Sequence, residues 1–191
     1  MKNDDSPTVS DDELYSNFIQ GQTECFDELT IRYGDALVIY LSGILHNMQD
    51  AEDIMVETFA RILVKRPAIR NGGFKAYLYR TAHNLAINLL KKNRRRATFS
   101  LDGCEEILRI SDSATKTIDD TERDDILHLC MEKIDPILKE VLFLIYFEDL
   151  SYKEAAAVMR ISPKRVDKLL QSAKKHLKKE LSKEGIDHAY E

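Results

Sequence analysis

The 191 residues carry 28 basic and 33 acidic side chains, a formal net charge of −5, and 43% hydrophobic residues, enough to bury a core and too many for a chain disordered throughout. Seven glycines and four prolines are too few for a fold built on tight turns, and no apolar run reaches the ~18–20 residues of a bilayer-spanning helix. Cys25, Cys104 and Cys130 are scattered and odd in number, with no CxxC, and the acidic start MKNDDSPTVSDDE has no apolar stretch; together these exclude a disulfide framework, a cysteine zinc site and a signal peptide, and fit a reducing cytosol.

The pattern is helical nearly everywhere. Residues 1–60 hold 2 basic and 13 acidic side chains, and within them Ser10-Asp11-Asp12-Glu13 forms a capping box that opens a first helix. Ala51, Ile54, Met55, Phe59, Ile62 and Leu63 recur at three and four, the period of an amphipathic helix, which the sequence ends before Pro67; Gly72-Gly73 marks a loop. Residues 61–96 then hold 11 basic side chains and no acid. Phe74, Leu78, Ala82, Leu85 and Leu89 form the apolar edge of a helix running to about Arg96, roughly 33 Å at ~1.5 Å per residue. Residues 97–120 are polar, acidic and rich in Ser and Thr with no sustained period, and read as a flexible interdomain linker with one short turn around 105–110.

Regular helix is predicted to resume with Ile126, Leu129, Cys130 and Ile134. Asp135-Pro136 starts another helix, with Asp as cap and Pro in the first turn. Ser151-Tyr152-Lys153-Glu154 is a second capping box, and Ser162-Pro163 caps a last helix with Val166, Leu169, Leu170, Ala173, Leu177 and Leu181 on one face. The predicted fold class is all-α: two small helical domains joined by a flexible linker.

Four features bear chemistry. Opposite the core edge of the 74–96 helix, Tyr77, Arg80, Asn84, Asn88, Lys91 and Arg95 follow at spacings of 3, 4, 4, 3 and 4, one continuous stripe. An aromatic can stack on an unstacked base, Arg and Asn can read base edges, and Lys and Arg hold phosphates. The preceding loop, Lys65 to Phe74, is basic and glycine-bearing, a shape that can cradle a phosphate or a flipped base. On the 50–66 helix, Asp50, Asp53 and Glu57 share a face away from the apolar side, where a basic protein partner would relieve their repulsion; favourable placement of acids near a helix N-terminus accounts for them equally. Residues 151–181 describe a helix-turn-helix, with Ala155 and Ala156 small where two helices cross and Lys164, Lys168, Gln171 and Lys175 on the outer face of the second helix, a surface suited to a DNA major groove. The five histidines never appear at metal-ligand spacing, and no phosphate-binding or nucleophile motif is present, so an enzyme is not expected.

Three segments in this order, Asp50-Ala-Glu-Asp-Ile-Met-Val-Glu-Thr-Phe-Ala-Arg61, Phe74-Lys-Ala-Tyr-Leu-Tyr-Arg-Thr-Ala-His-Asn84 and Leu150-Ser-Tyr-Lys-Glu-Ala-Ala156, resemble bacterial extracytoplasmic-function sigma factors of the sigma-70 family. The resemblance implies an acidic tail (1–11), sigma region 2 (12–96), a linker (97–120), sigma region 4 (121–182) and a C-terminal tail (183–191). It implies that Asp50, Asp53 and Glu57 dock on the clamp helices of core RNA polymerase. Arg70, Asn71, Phe74, Tyr77, Arg80, Asn84, Asn88, Lys91 and Arg95 would then recognise and open the minus-ten element. Lys164, Arg165, Lys168, Gln171 and Lys175 would read the minus-thirty-five element, region 4 touching the polymerase flap. The implied partners are core polymerase and promoter DNA, with room for an anti-sigma factor; no cofactor and no membrane insertion are implied.

Four positions depart from the family pattern: Tyr77 where tryptophan is common, Arg160 at a turn position where glycine is usual, and Asp167 and Leu169 where basic residues are frequent. A left-handed Arg160 would cost about 1 kcal/mol, so the turn is expected to differ. Two other readings stay open on the residues alone: a stand-alone helix-turn-helix regulator that binds an operator unaided, and an interaction module that sequesters a partner without touching DNA.

Overall fold

Each helix start that the sequence marks is a hydrogen-bonded cap. α1 (Asp11–Ile19) begins at Ser10, whose hydroxyl accepts from the Glu13 N–H at 3.3 Å. α2 (Glu24–Leu45) and α3 (Met48–Lys65) are joined through a left-handed His46 (φ 52°) and an Asn47 whose side chain accepts from the Asp50 N–H at 2.9 Å. α3 stops at a left-handed Arg66 (φ 42°), just before Pro67. α4 spans Phe74–Phe99, three residues further than the sequence predicts. α5 (Pro136–Leu142) has Asp135 as its cap and Pro at its start, and runs on as a π-helical turn, Phe143–Phe147. α6 (Tyr152–Met159) opens with a complete Ser151–Glu154 capping box, and α7 (Pro163–Lys183) follows Ser162, whose hydroxyl accepts from the Arg165 N–H at 3.3 Å. This computed structural model describes residues 9–70, 72–99 (97–99 by backbone alone) and 133–183. The predicted turn at 105–110 and the apolar positions Ile126, Leu129 and Cys130 lie outside the described residues, and no strand occurs among those described.

The first four helices surround one apolar centre. Leu29, Leu37 and Leu41 of α2, Ile54, Phe59 and Ile62 of α3, Phe74, Leu78 and Ala82 of α4, and Leu14 and Phe18 of α1 are buried together. Rings knit the α1 end of this core: Phe18 and Phe26 lie 4.6 Å apart, and Phe26 meets Phe59 edge-on at 6.0 Å, the tilted and edge contacts that aromatic quadrupoles favour. Among α5, α6 and α7, the core holds Leu138, Val141, Leu144, Val158, Val166 and Leu170, with Ala155 and Ala156 buried on α6.

The two helical units do not stand apart. α6 lies along α4 and α5 against α2, so that one buried cluster runs through both. The seam is polar at two places. The Tyr40 hydroxyl donates to Glu140 Oε1 at 2.7 Å, the same oxygen sits 2.9 Å from His83 Nδ1, and that nitrogen lies 3.2 Å from the Tyr40 hydroxyl. Nearby, Lys75 Nζ donates to the Glu148 carbonyl at 3.0 Å and stands 3.7 Å from its carboxylate, which is itself buried. Aromatic rings close the gap between these points: Tyr40 and Tyr79 both face Phe143, at 5.7 and 6.3 Å. Burial is the largest influence raising the Tyr40 and Tyr79 hydroxyl pKa values, with Glu140 and Glu148 adding to it.

Candidate nucleic-acid interface

Packing divides α4 into two faces. Phe74, Leu78, Tyr79, Ala82, Leu85 and Ala86 point into the protein. Tyr77 and Asn84 are half-buried at the boundary, while Arg80, Asn88, Lys91 and Arg95 are exposed. The Arg80 guanidinium lies 5.3 Å from the centre of the Tyr77 ring, near enough for a cation–π contact that holds both side chains on the same surface. Among the described residues no acid pairs with Arg80, Lys91 or Arg95, so the stripe reaches solvent as a positive field over one aromatic ring and two amides. Phe74 departs from the expectation. It is 1% exposed, with its ring 5.2 Å from that of Tyr15 and 6.0 Å from that of Tyr33, because the first turn of α4 has to fill the gap between α1 and α2; it supports the surface from beneath and is not a contact residue in this arrangement.

The loop ahead of α4 is a folded turn. The Gly73 N–H bonds the Arg70 carbonyl at 2.9 Å and Gly72 has φ +76°, a conformation that side-chain-bearing residues rarely adopt. A Cβ at Gly73 would stand 2.8 Å from that same carbonyl oxygen. Arg70 is exposed beside this turn, and Asn71 lies outside the described residues. What fastens the loop was invisible in the sequence. The Tyr15 hydroxyl donates to the Pro67 carbonyl at 2.7 Å, the Asp12 carboxylate accepts the Gly72 N–H, and Arg66 stacks over the Phe18 ring at 4.8 Å. These partners are 52, 60 and 48 positions apart in the chain, beyond any local pattern.

On α7, Lys164, Arg165, Lys168, Gln171 and Lys175 are all exposed, and Val166, Leu170 and Ala173 are buried beneath them. Asp167 accepts from the Gln171 amide at 3.1 Å, and Leu169 is half-buried against the core, so one of the two non-basic positions serves the stripe and the other the packing. Arg160 does adopt the left-handed conformation (φ 54°, ψ 43°) and closes α6 with its N–H on the Ala156 carbonyl; the turn keeps the geometry that glycine would supply. On α3, Asp53 and Glu57 are exposed and Asp50 half-exposed. Glu57 is bridged to Arg61 at 2.6 Å, an i,i+4 pair that answers part of the acidic face from within the helix.

Residues 29–96 match the family described as sigma-70 region 2, and residues 124–177 the one described as sigma-70, region 4. Among curated relatives, the chain is 26% identical over 152 residues to the ECF RNA polymerase sigma factor SigM of Bacillus subtilis, covering 80% of this chain and 92% of that one. It is 28% identical over 159 residues to the RNA polymerase sigma-H factor of Pseudomonas aeruginosa, covering 78% and 82%. Two solved structures share the fold. RpoE of Bartonella quintana, in complex with the anti-sigma factor NepR, has a TM-score of 0.62 at 20% identity over 82% of this chain and 96% of its own. CnrH, in complex with the cytosolic domain of CnrY, has a TM-score of 0.60 at 23% identity over 91% and 98%. Regions 2 and 4 in this order set aside the stand-alone regulator. The chain belongs to the extracytoplasmic-function group of the sigma-70 family and is an alternative sigma factor of transcription initiation.

Proposed function

We propose that this sigma factor joins core RNA polymerase through Asp50, Asp53 and Glu57 on α3 and brings it to promoters read at two places. Region 2, taken as residues 12–96, reads and opens the minus-ten element with Arg70, Asn71, Tyr77, Arg80, Asn84, Asn88, Lys91 and Arg95. Region 4, taken as 121–182, reads the minus-thirty-five element with Lys164, Arg165, Lys168, Gln171 and Lys175. One observation carries this reading: α4 sets its acid-free stripe on a helix whose other side is locked into the core. Holding unpaired bases requires rings and donors that stay in place when the duplex gives way, and a buried helix edge supplies that rigidity. Each surface is small, so affinity comes from both acting together once polymerase fixes their spacing. CnrH and RpoE were each solved with a bound protein, and we extend that to this chain as an anti-sigma partner. No described helix is long and apolar enough to cross a membrane, and the reading places the protein in the cytoplasm.

Run-off transcription with purified core polymerase over a genomic promoter library tests the proposal. Transcripts from a defined promoter set are expected, lost on charge reversal at Arg80 and Lys91, and weakened by orders of magnitude as salt rises if ~6–10 phosphates are neutralised. Gel shifts should require core. Tight sequence-specific binding without it, or no transcript from any template, refutes the reading.

A further inference from the structure

The loop between α3 and α4 has little of its own to hold it. It spans residues 66–73, with Arg66, Ala68, Arg70 and Gly72 exposed, and its one internal hydrogen bond among the described residues is the Gly73–Arg70 turn. Two glycine-dependent positions make it easy to form and equally easy to deform. Yet α1 grips it at three successive points: Asp12 on the Gly72 N–H, Tyr15 on the Pro67 carbonyl, and the Phe18 ring under Arg66. Positions 12, 15 and 18 are one helical face, so a single rigid element meets the loop at its start and its end. α1 is itself anchored on α2, since Asp11 pairs with Arg32 and accepts from the Tyr33 hydroxyl. Its grip therefore carries the order of the core out to the loop.

We propose that Asp12 and Tyr15 are positioning residues for minus-ten recognition: by holding Pro67 and Gly72, α1 fixes the described backbone on either side of Arg70 so that Arg70 meets the DNA in one orientation. This rests on the assignment of that loop to DNA reading. The chemistry of both contacts suits the role. A carboxylate accepting a backbone N–H makes a strong charge-assisted bond, and it holds the peptide on which the left-handed Gly72 turns. Tyr15 is a reliable donor, because burial pushes its hydroxyl pKa up to about 12. Neither residue needs to touch DNA, since a reading group held loosely loses discrimination before it loses attraction to phosphates.

The test uses the full chain assembled with core polymerase and a promoter returned by the run-off screen, with each minus-ten base substituted in turn. For every variant, the ratio of transcription from the parent promoter to that from each substituted one is measured, beside the same ratio for minus-thirty-five substitutions. Arg70→Ala is the internal control and should flatten the ratio at the bases the loop reads. Tyr15→Phe should flatten the same ratio about fivefold, the worth of one ordinary hydrogen bond, and Asp12→Ala about tenfold or more, the worth of a bond to a charged acceptor, while Asp12→Asn, which keeps a neutral acceptor oxygen, should retain part of it. Minus-thirty-five ratios should not move. Amide exchange at Gly72 should quicken in Asp12→Ala and recover in Asp12→Asn. If Arg70→Ala flattens the ratio but Asp12→Ala and Tyr15→Phe do not, the positioning role is overturned and the loop's DNA contact stands. If Arg70→Ala changes nothing, the loop does not read DNA and the inference falls with that assignment. An equal loss at both promoter elements would mark general destabilisation and would also overturn it.

Discussion

Glu140→Ala tests whether the seam between the two helical units is held at the Tyr40–His83 junction. One carboxylate oxygen serves two partners there, the Tyr40 hydroxyl at 2.7 Å and His83 Nδ1 at 2.9 Å, and both partners are buried. Removing it does not orphan the hydroxyl completely, because His83 Nδ1 remains at 3.2 Å. The loss should therefore fall between an ordinary net hydrogen bond, about 1 kcal/mol, and a fully unsatisfied buried group, about 3 kcal/mol; about 2 kcal/mol is expected. Tyr40→Phe should cost about 1 kcal/mol, since Glu140 keeps His83. The double variant should be about 1 kcal/mol less unstable than the sum of the two, the coupling of residues that share a bond. Urea unfolding of the full chain at neutral pH reads all three. An Ala variant within about 0.3 kcal/mol of the parent, or strictly additive losses, would show that these groups face one another without holding anything.

Arg160→Gly should raise stability by about 0.5–1 kcal/mol, because it relieves a left-handed side-chain-bearing residue (φ 54°) against a smaller entropic cost in the unfolded chain; a lower urea midpoint would contradict this. Ser151→Ala removes a capping box in which both reciprocal bonds are formed and should cost about 1 kcal/mol, with Ser151→Thr largely restoring it. Burial is also the leading cause raising the hydroxyl pKa values of Tyr15, Tyr33, Tyr40 and Tyr79. Their folded values lie above the unfolded value of ~10, so the stability they confer is whole below about pH 10 and is lost as pH climbs through the folded values. Tyrosinate absorbance should accordingly lag behind that of the urea-unfolded chain on alkaline titration, and coincident curves would refute the burial argument.

The capped helix starts were legible in the sequence because a cap is a local bond: Ser10, Asp135, Ser151 and Ser162 each act within three residues. The charged stripes on α4 and α7 were legible for a similar reason, since helical period alone decides which side chains share a face. Period says that a residue is inside, however, and not what it is inside against. Nothing local to Glu140 marks it as a seam residue, and its partner Tyr40 is 100 residues away. Phe74 sits at the junction of an apolar edge and a basic loop, and only the three-ring arrangement with Tyr15 and Tyr33 decides which it joins. The seam places a π-helical turn where the sequence shows only FLIYF, an apolar run with no helical phase to read.

The welding of α6 along α4 has a geometric consequence for any promoter read at two sites at once. Elements centred near minus ten and minus thirty-five stand roughly 85 Å apart on straight duplex at ~3.4 Å per base pair, whereas helices in mutual contact have axes only about 8–10 Å apart. On the two-element reading proposed above, a molecule with α6 packed along α4 offers one reading surface to DNA but not both in register. Whatever pries them apart, rather than the strength of either grip on DNA, then sets when the molecule is ready to work.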